Sequence, residues 1–494
     1  MTIPVSRDTA VEEVYELASG VASGARHLIG GEVVDGTVAA TVRAPWNRQL
    51  AVDYRIVDSA TVRDAVAAAR RAFDEGTGDH GRRRDVLLAM ANSARSIQDE
   101  LAVIIAFETG KLMRSATMEA AGVAASLEYW ATVQPRTEAL SSDDAHTTEL
   151  VRKPLGVVAA ITPFNMPVLM MANKVGAALS TGNTVVCKPS PAAPLAALRL
   201  AGAVADVVPA GWVNIVAGDD DAGPVLSSSP DVAMVSFTGS AAVGKSIMQA
   251  AAGTLKRLQL ELGGNDAAII GPDADLATAI PEIFRSAFGS SGQACVAAKR
   301  VYAHQSVADD VAERLARLAE ETRVGHPFDD QATAPVLTTE AQYDKVEELL
   351  EGVRGKSKIL FEGRRSKTTG FYMQPSIVTG ISNGSPLVDE EQFGPVLPVV
   401  CYSSTAEAIE LANATTYGLG ATVWSEDEAF IAEVVPRLET GMVWVNGLGM
   451  PHPSVPFGGV KESGVGREGG EAGVDAFTEL VTVTQYRPAP GKVT

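Results

Sequence analysis

A cysteine in a run of small residues is the first candidate for chemistry in this sequence. Cys295 lies in the stretch 288–298, where most neighbours are glycine, serine or alanine. Small side chains leave room for a ligand to approach the sulfur, and glycine lets backbone N–H groups turn toward that ligand. The thiol is therefore a candidate nucleophile. This stretch alone fits a structural role equally well, because free cysteine is among the most buried residue types.

Two further stretches carry a carboxylate and an amide that could act together with the thiol. Glu261 ends an alternating apolar run, 255–260, and precedes two glycines, so we expect it at the mouth of a sheet. Asn165 follows a predicted buried strand, in a turn bounded by prolines. Taken alone, Glu261 could be a solvated strand-end residue, and Asn165 could be a turn or helix-cap residue, its usual role at such a place.

Together these stretches resemble the aldehyde dehydrogenase superfamily. The separation of Glu261 from Cys295 matches the family's spacing of general base and nucleophile. Further short motifs follow in the family's order over nearly the whole chain: Val-Cys-Lys-Pro-Ser at 186–190, Phe-Thr-Gly-Ser at 237–240, Glu-Gln-Phe-Gly-Pro at 391–395 and Pro-Phe-Gly-Gly-Val-Lys-Glu-Ser-Gly at 456–464. Each motif is weak by itself, but their common order leaves little room for accident.

Composition and charge exclude several other classes. A formal net charge of −19 argues against nucleic acid, whose phosphates demand a basic surface. Only three cysteines occur among the 494 residues, far apart and without metal-ligand spacing, which predicts a reducing compartment and no metal site. No apolar run reaches the ~18 residues of a membrane span, and the N-terminus lacks the apolar core of a signal peptide. We therefore expect a cytoplasmic protein that does not bind membranes.

Strand–helix alternation places the candidate residues at one edge of a sheet. Short apolar strands that alternate with helices predict a parallel sheet covered on both faces, and ligands of such sheets bind at the carboxyl ends of the strands. Lys188, Ser240 and Glu261 follow or end predicted strands, which predicts a dinucleotide site independently of the resemblance. The strands are expected at 156–161, 183–187, 212–216, 233–237 and 257–261, and the helices at 167–180, 192–205 and 241–252.

The rest of the chain adds a helical region, a second alternating region and two irregular segments. Residues 27–34 predict a hairpin, 355–369 a solvated basic hairpin or loop, and 446–470 a long functional loop. The helical region is expected at 61–73, 82–97, 99–109 and 116–129. The second alternating region is expected to have strands at 266–270, 300–304, 396–402 and 441–446, and helices at 274–289, 307–322, 338–353, 404–412 and 427–438.

The resemblance implies an α/β protein with the aldehyde dehydrogenase fold. This fold joins a Rossmann-like dinucleotide-binding domain, an α/β catalytic domain and a small β oligomerisation arm. The arm is expected to pair with the C-terminal strand near 480–486 and to carry the contacts of a homodimer or homotetramer. We assign the dinucleotide-binding domain to 1–136 and 154–264, the catalytic domain to 265–445 with loop 446–470 closing the site, and the arm to 137–153 and 479–494.

The resemblance also implies the reaction, the oxidation of an aldehyde to its acid with reduction of NAD or NADP. Cys295 would attack the carbonyl to give a thiohemiacetal, and the Asn165 amide with the Cys295 N–H would hold the oxyanion. Glu261 would activate the water that hydrolyses the thioester. Its presence favours a free acid over transfer of the acyl group to a thiol. Glu468 is an auxiliary candidate for proton transfer, although a solvated helix-start residue fits nearly as well.

Cofactor contacts are carried over in the same way. Lys188 would bind the adenine ribose, Ser240 would place a helix N-terminus near the pyrophosphate, and Glu391 with Phe393 would hold the nicotinamide ribose and ring. Pro191 stands where NAD-preferring relatives often carry glutamate, so a 2′-phosphate would not be repelled and NADP stays open. The expected cofactor residues are Ile161, Thr162, Phe164, Lys188, Ser190, Thr238, Gly239, Ser240, Leu262, Gly263, Glu391 and Phe393.

An apolar substrate tunnel is the last implication of the resemblance. The arginine that relatives selective for succinate semialdehyde carry on the helix after Asn165 is absent, and Asn173 stands at about that position. We therefore expect an uncharged aromatic or aliphatic aldehyde, with a similarity to benzaldehyde dehydrogenases; an NADP-dependent semialdehyde dehydrogenase is the alternative. Methionines at helical spacing could also simply be core residues. The expected lining is Met166, Leu169, Met170, Asn173, Leu448, Met450, His452 and Phe457.

Two unrelated classes of protein are alternatives to this interpretation. A cysteine-dependent hydrolase could use one of the six histidines, such as His304, but it would leave the dinucleotide site unexplained. An inactive scaffold is disfavoured because Asn165, Glu261 and Cys295 are all intact.

Overall fold

Two large sheets with helices packed on them form most of the computed structural model, which describes residues 11–22, 24–219, 221–449 and 452–487. The strands are β1 (His27–Ile29), β2 (Glu32–Val34), β3 (Val38–Arg43), β4 (Ala51–Ile56), β5 (Glu138–Ser142), β6 (His146–Pro154), β7 (Val157–Ile161), β8 (Thr184–Lys188), β9 (Val213–Ile215), β10 (Val232–Thr238), β11 (Arg257–Glu261), β12 (Asp266–Ile270), β13 (Ala298–His304), β14 (Lys358–Phe361), β15 (Arg365–Ser366), β16 (Tyr372–Met373), β17 (Ser376–Thr379), β18 (Val396–Tyr402), β19 (Gly420–Trp424), β20 (Met442–Val445), β21 (Gly464–Val465) and β22 (Thr478–Tyr486).

The helices lie between these strands. They are α1 (Val11–Ala22), α2 (Ser59–Glu75), α3 (His80–Ser96), α4 (Gln98–Thr109), α5 (Met113–Ala131), α6 (Pro167–Ser180), α7 (Leu195–Val204), α8 (Ala222–Ser228), α9 (Ala241–Ala251), α10 (Leu276–Phe288), α11 (Ala308–Glu321), α12 (Glu340–Val353), α13 (Pro386–Asp389), α14 (Thr405–Asn413), α15 (Glu428–Val434) and α16 (Gly470–Ala476). Short 3-10 helices occur at Ala252–Thr254, Val435–Arg437 and Lys461–Ser463.

The first sheet has the strand order β2-β1-β9-β8-β7-β10-β11-β21. Its centre, from β9 to β11, is parallel, and antiparallel strands close both edges. All residues of β7 and β8 are buried, because helices cover both faces of a parallel sheet and leave no polar face to the strands. The strands predicted between 155 and 270 are all present, with ends that differ by at most two residues or so.

The second sheet has the order β14-β17-β18-β13-β12-β19-β20. The predicted strands correspond to β12, β13, β18 and β20, whereas β14, β17 and β19 were missed. The interpretation of 355–369 as a solvated hairpin or loop is wrong in part, since β14 pairs antiparallel with β17. Two basic residues of this stretch are also paired: Arg365 contacts Glu362 at 3.0 Å, and Lys367 binds Asp344 through an Nζ–Oδ1 contact of 2.6 Å.

A three-stranded antiparallel sheet, β22-β6-β5, stands apart from the two large sheets. The predicted pairing of the arm with the C-terminal strand is found, and it runs from Thr478 opposite Pro154 to Tyr486 opposite His146. Leu480, Val483 and Tyr486 are exposed on this sheet. The assignment of domain boundaries and the oligomeric role of the arm stay predictions.

Helices α2 to α5 match the predicted helical region; α2 packs on the first sheet, and α3 to α5 pack on α6 and α7. Two acids are buried in this apolar layer, Glu108 on α4 and Glu119 on α5. The Glu108 carboxylate accepts the backbone N–H of Leu195 at 2.7 Å and of Ala196 at 3.2 Å. It therefore caps α7, the helix that follows the Lys188 turn, in place of a local N-cap residue.

Candidate active site

The carboxyl ends of four parallel strands meet at one edge of the first sheet. In register, Lys188 lies opposite Ile161, Ile161 opposite Phe237, and Thr238 opposite Glu261. The prediction that the ends of these strands share one edge is therefore confirmed.

Unsatisfied hydroxyl groups at this edge fit a polar ligand. The Oγ1 atoms of Thr162 and Thr238 are buried, and neither has a hydrogen-bond partner in the described part of the chain. Buried polar atoms are rarely left unpaired, so such atoms call for a ligand or water. Beside them, Ser240 caps α9 by accepting the Val243 N–H at 3.4 Å, and the positive end of this helix points to the same edge. These residues fit a dinucleotide.

A second group of the expected cofactor residues lies next to the second sheet. Glu391 Oε1 accepts the Gly264 N–H at 3.0 Å, and a Cβ on Gly263 would lie 2.3 Å from Glu391 Oε2. Burial raises the pKa of Glu391, while Lys299 opposes this shift. The rings of Phe164 and Phe393 meet edge to face, with centroids 6.0 Å apart.

The remaining expected cofactor residues have ordinary structural partners. Leu262 is buried, and its side chain fills the space that a Cβ on Gly244 would occupy. Ser190 Oγ accepts the Ala192 N–H at 3.3 Å. The Gly239 N–H is bonded to the carbonyl oxygen of Glu261 at 3.0 Å.

Cys295 is a partly exposed free thiol in the turn between α10 and β13. Burial raises its pKa to about 12; Lys299 opposes the shift, and Glu261, Asp266 and Glu391 add to it. The resting residue is therefore a thiol rather than a thiolate at neutral pH. The other two cysteines differ from Cys295 in their exposure: Cys187 is buried inside β8, and Cys401 is exposed on β18.

Asn165 is joined to the turn that carries Cys295. Its Nδ2 donates to the carbonyl oxygen of Gln293 at 2.9 Å. Gln293 is held in turn, since its Oε1 accepts the Thr338 N–H at 2.9 Å. The amide and the thiol are thus brought together through one residue of the same turn.

Glu261 is a buried carboxylate without hydrogen bonds. Its side chain is 3% exposed, and neither oxygen has a partner among the described residues. Burial raises its pKa well above the usual range, as does the negative charge of Glu468, while Lys174 and Arg467 oppose the shift. A Cβ on Gly458 would lie 2.5 Å from Glu261 Oε1, so only glycine permits this close approach of the loop.

Glu468 is buried rather than solvated, and it lies in a polar network that the sequence did not predict. Its carboxylate forms an ion pair with the buried Lys174, whose Nζ also donates to Ser236 Oγ at 2.9 Å. Asn173 Nδ2 donates to Glu468 Oε2 at 3.3 Å, and Asn173 Oδ1 accepts the Trp130 indole N–H at 2.8 Å. The Asn173 amide is thus occupied within the fold.

The other expected tunnel residues lie on α6 and on the loop 446–470. Met166, Leu169 and Met170 are half-buried around the first turn of α6. On the loop side, Leu448 packs against the core of the second sheet, and Phe457 exchanges two backbone bonds of 2.7 Å with Glu468. The exposed His452 ring contacts Tyr129 with centroids 6.1 Å apart. Met450 lies outside the described residues, and the tunnel itself stays a prediction.

His304 does not approach Cys295. The two residues lie at opposite ends of β13, a strand of seven residues, which spans about 20 Å at roughly 3.3 Å per residue. His304 Nδ1 instead contacts Ser306 Oγ at 2.7 Å. The hydrolase alternative therefore has no cysteine–histidine pair at this position.

Three charged residues near the site were missed in the sequence. Lys174 and Glu119 each interrupt an apolar helix face, and Lys299 lies in a buried strand; all three are buried. A charge inside an apolar pattern is costly unless it is paired, and this was the signal that could have revealed them.

Metal clusters and membrane-spanning helices are both absent from the described part of the chain. Among the residues that the structure describes, no group of three or more histidine, cysteine, aspartate or glutamate side chains could hold a metal ion. Within the same residues, no helix has both the length and the apolar character needed to cross a membrane.

Comparison with known proteins covers nearly the whole chain. A model described as "Aldehyde dehydrogenase family" matches residues 9–483. The mitochondrial succinate-semialdehyde dehydrogenase of Arabidopsis thaliana is 36% identical over 462 residues, which cover 92% of this chain and 88% of the relative. The crystal structure of an NAD-dependent aldehyde dehydrogenase from Sinorhizobium meliloti has a TM-score of 0.91 at 32% identity, covering 96% of this chain and 97% of that one.

A further solved structure contains a cofactor. The betaine aldehyde dehydrogenase of Staphylococcus aureus, in complex with NAD+, matches with a TM-score of 0.90 at 28% identity, covering 97% of this chain and 96% of that one. The similarity thus extends to relatives of more than one substrate class.

Proposed function

Since the chain belongs to the aldehyde dehydrogenase family, we propose that it oxidises an uncharged aromatic or aliphatic aldehyde to the carboxylic acid. The class of the enzyme follows from the family: it is an oxidoreductase that acts on aldehydes with NAD or NADP. The expected fold is also that of the family. The roles of individual residues and the choice of aldehyde are proposals.

Cys295 acts as the nucleophile in this proposal. Its sulfur attacks the aldehyde carbonyl, and the Asn165 amide and the Cys295 N–H hold the resulting oxyanion. Support comes from the bond between Asn165 and the Gln293 carbonyl, which ties the amide to the turn of the nucleophile. Because burial raises the pKa of Cys295 to about 12, the thiol must lose its proton during catalysis rather than before it.

The buried environment of Glu261 is the observation that carries the proposal. A carboxylate that is 3% exposed and whose two oxygens have no partner among the described residues is expensive to keep in a fold. Its raised pKa suits a group that takes a proton from water near neutral pH. We therefore assign it the activation of the water that hydrolyses the thioester on Cys295, which yields a free acid.

The proposal also includes a dinucleotide site at the edge of the first sheet. The bound dinucleotide supplies the acceptor for the hydride. We propose that Lys188 binds the adenine ribose, that Ser240 and the start of α9 face the pyrophosphate, and that Glu391 with Phe393 holds the nicotinamide side. The unpaired hydroxyls of Thr162 and Thr238 at this edge support the assignment. Pro191 leaves both NAD and NADP open.

An uncharged substrate is favoured by the half-buried apolar residues at the start of α6, Met166, Leu169 and Met170. Asn173, which occupies the position of the arginine expected for an acidic substrate, binds Trp130 and Glu468 instead. The alternative is an NADP-dependent semialdehyde dehydrogenase, and it is favoured by the similarity to the plant succinate-semialdehyde dehydrogenase. A cytoplasmic location and a homodimer or homotetramer stay predictions that accompany either substrate.

The test is the formation of reduced nicotinamide from benzaldehyde, a medium-chain aliphatic aldehyde and succinate semialdehyde, each with NAD and with NADP. We expect the two uncharged aldehydes to be turned over with higher kcat/KM than the semialdehyde. Selective oxidation of succinate semialdehyde would replace this proposal with the alternative.

The role of the nucleophile is tested separately. Cys295→Ala should abolish turnover of every aldehyde while NAD still binds, because the side chain is partly exposed and its loss removes little packing. Cys401→Ala, at the exposed cysteine of β18, is the matched control and should keep full activity. Turnover by Cys295→Ala at the wild-type rate would refute the mechanism.

A further inference from the structure

Lys299 is a buried cation directly behind the turn of the nucleophile. It is the second residue of β13 and only 2% exposed. The register between β12 and β13 shifts here, since Asp266 pairs with Ala298 while Ala267 pairs with Arg300. Lys299 is therefore the extra residue of a bulge, a feature that redirects a side chain away from its regular place in a strand.

The redirected side chain bonds to the backbone of the turn. Lys299 Nζ lies 2.6 Å from the carbonyl oxygen of Ala294, 3.4 Å from that of Cys295 and 3.5 Å from that of Ala297. One ammonium group thus gathers three carbonyls on a single side of the turn. Hydrogen bonds from a charged donor are stronger than neutral ones, so this contact fixes the turn.

This contact decides where the N–H group of Cys295 points. The Ala294 C=O and the Cys295 N–H belong to one peptide plane, and no described peptide bond is cis. In a trans peptide the two groups point in opposite directions. Because the Ala294 carbonyl is directed at Lys299, the Cys295 N–H is directed away from Lys299.

The charge of Lys299 also acts among the acids that surround Cys295. Glu261 at the end of β11, Asp266 at the start of β12 and Glu391 after α13 each disfavour the thiolate, and Lys299 favours it. Burial raises the pKa of Asp266 and of Glu391, and Lys299 opposes this rise at both. Its Nζ lies 5.7 Å from the centroid of the Phe393 ring, within the range of a cation–π contact.

We propose that Lys299 is a positioning residue for Cys295: its ammonium group holds the carbonyl side of the turn, so that the Cys295 N–H faces the substrate, and its positive charge favours the thiolate among three acids. The inference rests on the proposed role of Cys295 as nucleophile. It gives a structural reason both for the direction of the Cys295 N–H, the donor of the proposed oxyanion site, and for the reactivity of the Cys295 sulfur.

The test compares two cysteines in the same molecule. Cys295 and the exposed Cys401 are alkylated with iodoacetamide at pH 8, and the rate of each is read by mass spectrometry of its peptide. Lys299→Met removes the charge but keeps the length. A neighbouring opposite charge shifts a pKa by about one unit or more, so we expect the ratio of Cys295 to Cys401 alkylation to fall about tenfold. With the oxyanion donor turned, kcat should fall at least about tenfold.

Lys256→Met is the matched control. Lys256 is also a buried lysine that donates to backbone carbonyls, those of Ser229 and Val232, the second at 3.2 Å, but at the opposite end of the first sheet. It should lose the same kind of bond with no change in the alkylation ratio. Lys299→Arg, which keeps the charge, should keep the ratio near that of the wild type.

Several results would overturn the inference. An alkylation ratio within twofold of the wild type in Lys299→Met would remove the role of the charge, and an unchanged kcat would remove the role in orientation. If Lys299→Met fails to bind NAD, the alkylation ratio of Lys299→Gln, which is neutral but can still donate a hydrogen bond, decides the role of the charge. Its kcat should then exceed that of Lys299→Met, and an equal kcat would remove the role of the hydrogen bond in orientation. The ratio needs no aldehyde, so it is distinguishable from a failure of the proposed function, which would show as activity in Cys295→Ala.

Discussion

Two ion pairs on the same helix allow a sharp test of what holds Asn165, the proposed oxyanion donor, in place. On α5, Glu119 lies 2.5 Å from Lys111 Nζ, and their side chains are 1% and 12% exposed. Glu119 Oε1 also receives long contacts from the N–H groups of Val168 and Leu169, at 3.4 and 3.5 Å. These N–H groups open α6, which directly follows Asn165, so Glu119 caps the helix that positions the amide.

The matched pair on α5 is exposed. Glu128 lies 2.5 Å from Arg95, and their side chains are 43% and 48% exposed. Breaking a buried pair costs about 3–5 kcal/mol because the partner is left uncompensated, whereas an exposed pair contributes about 0.2–1 kcal/mol. For Glu119→Gln we expect the free energy of unfolding to fall by about 3 kcal/mol. This is the lower end of the range for buried pairs, because glutamine still accepts a hydrogen bond and Lys111 is slightly exposed.

Thermal unfolding and steady-state kinetics measure the two consequences. One kcal/mol moves the Tm by about 2–4 °C in a domain of 150–250 residues. Glu119→Gln should therefore lower the Tm by at least about 5 °C, and Glu128→Gln by less than about 3 °C. A displaced Asn165 should also reduce kcat about tenfold to a hundredfold in Glu119→Gln alone. Equal Tm shifts in the two variants, or wild-type kcat in Glu119→Gln, would refute this reasoning.

Three further predictions concern the base and the cofactor. Glu261→Gln should release one equivalent of reduced cofactor in a burst and then stall, because the thioester persists; stopped-flow absorbance that shows full steady-state turnover would contradict this. As the proposed base, Glu261 would act in its ionised form, and its pKa is raised by burial, so activity should fall as the pH drops through that pKa. Glu468→Gln removes a negative charge that raises the pKa of Glu261, so it should move the acid limb of the pH profile of kcat about one unit to lower pH. A limb that stays in place would show that Glu468 does not act on Glu261. Pro191→Glu should lower kcat/KM for NADP relative to NAD at least about tenfold by repelling the 2′-phosphate, and an unchanged ratio would mean that this position does not face the ribose.

The first sheet could be predicted from the sequence because its pattern is local. Strands such as β7 are continuous apolar runs, and α6 begins at a proline. The hydrophobic pattern and the boundary residues therefore indicate the same elements. In the second sheet β19 was not predicted: it is a five-residue strand that opens with glycine, although Thr422, Val423 and Trp424 are of types common in strands. It forms because β12 and β20 bury it from both sides, a tertiary cause that no local pattern reports.

The candidate residues could be found by type and spacing, but their partners could not. The contact of Asn165 with Gln293 and the burial of Glu261 depend on chain segments far apart in sequence. The same holds for Lys174 and Glu468, which pair across a separation of 294 residues. The alternative of a solvated Glu468 was wrong for this reason, because burial is a property of the assembled fold.

The edge strand β21 has a consequence for how the protein is made. β21 covers β11 by placing Gly464 opposite Glu261, and it comes from the last part of the chain. Ribosomes add about 5–20 residues per second, so the roughly 200 residues between the two strands take tens of seconds to synthesise. During that time β11 lacks this partner strand, and Gly458 has not yet been placed against Glu261. The environment that raises the pKa of Glu261, which includes Glu468 and the close approach of Gly458, therefore forms only after the segment 458–468 has been synthesised.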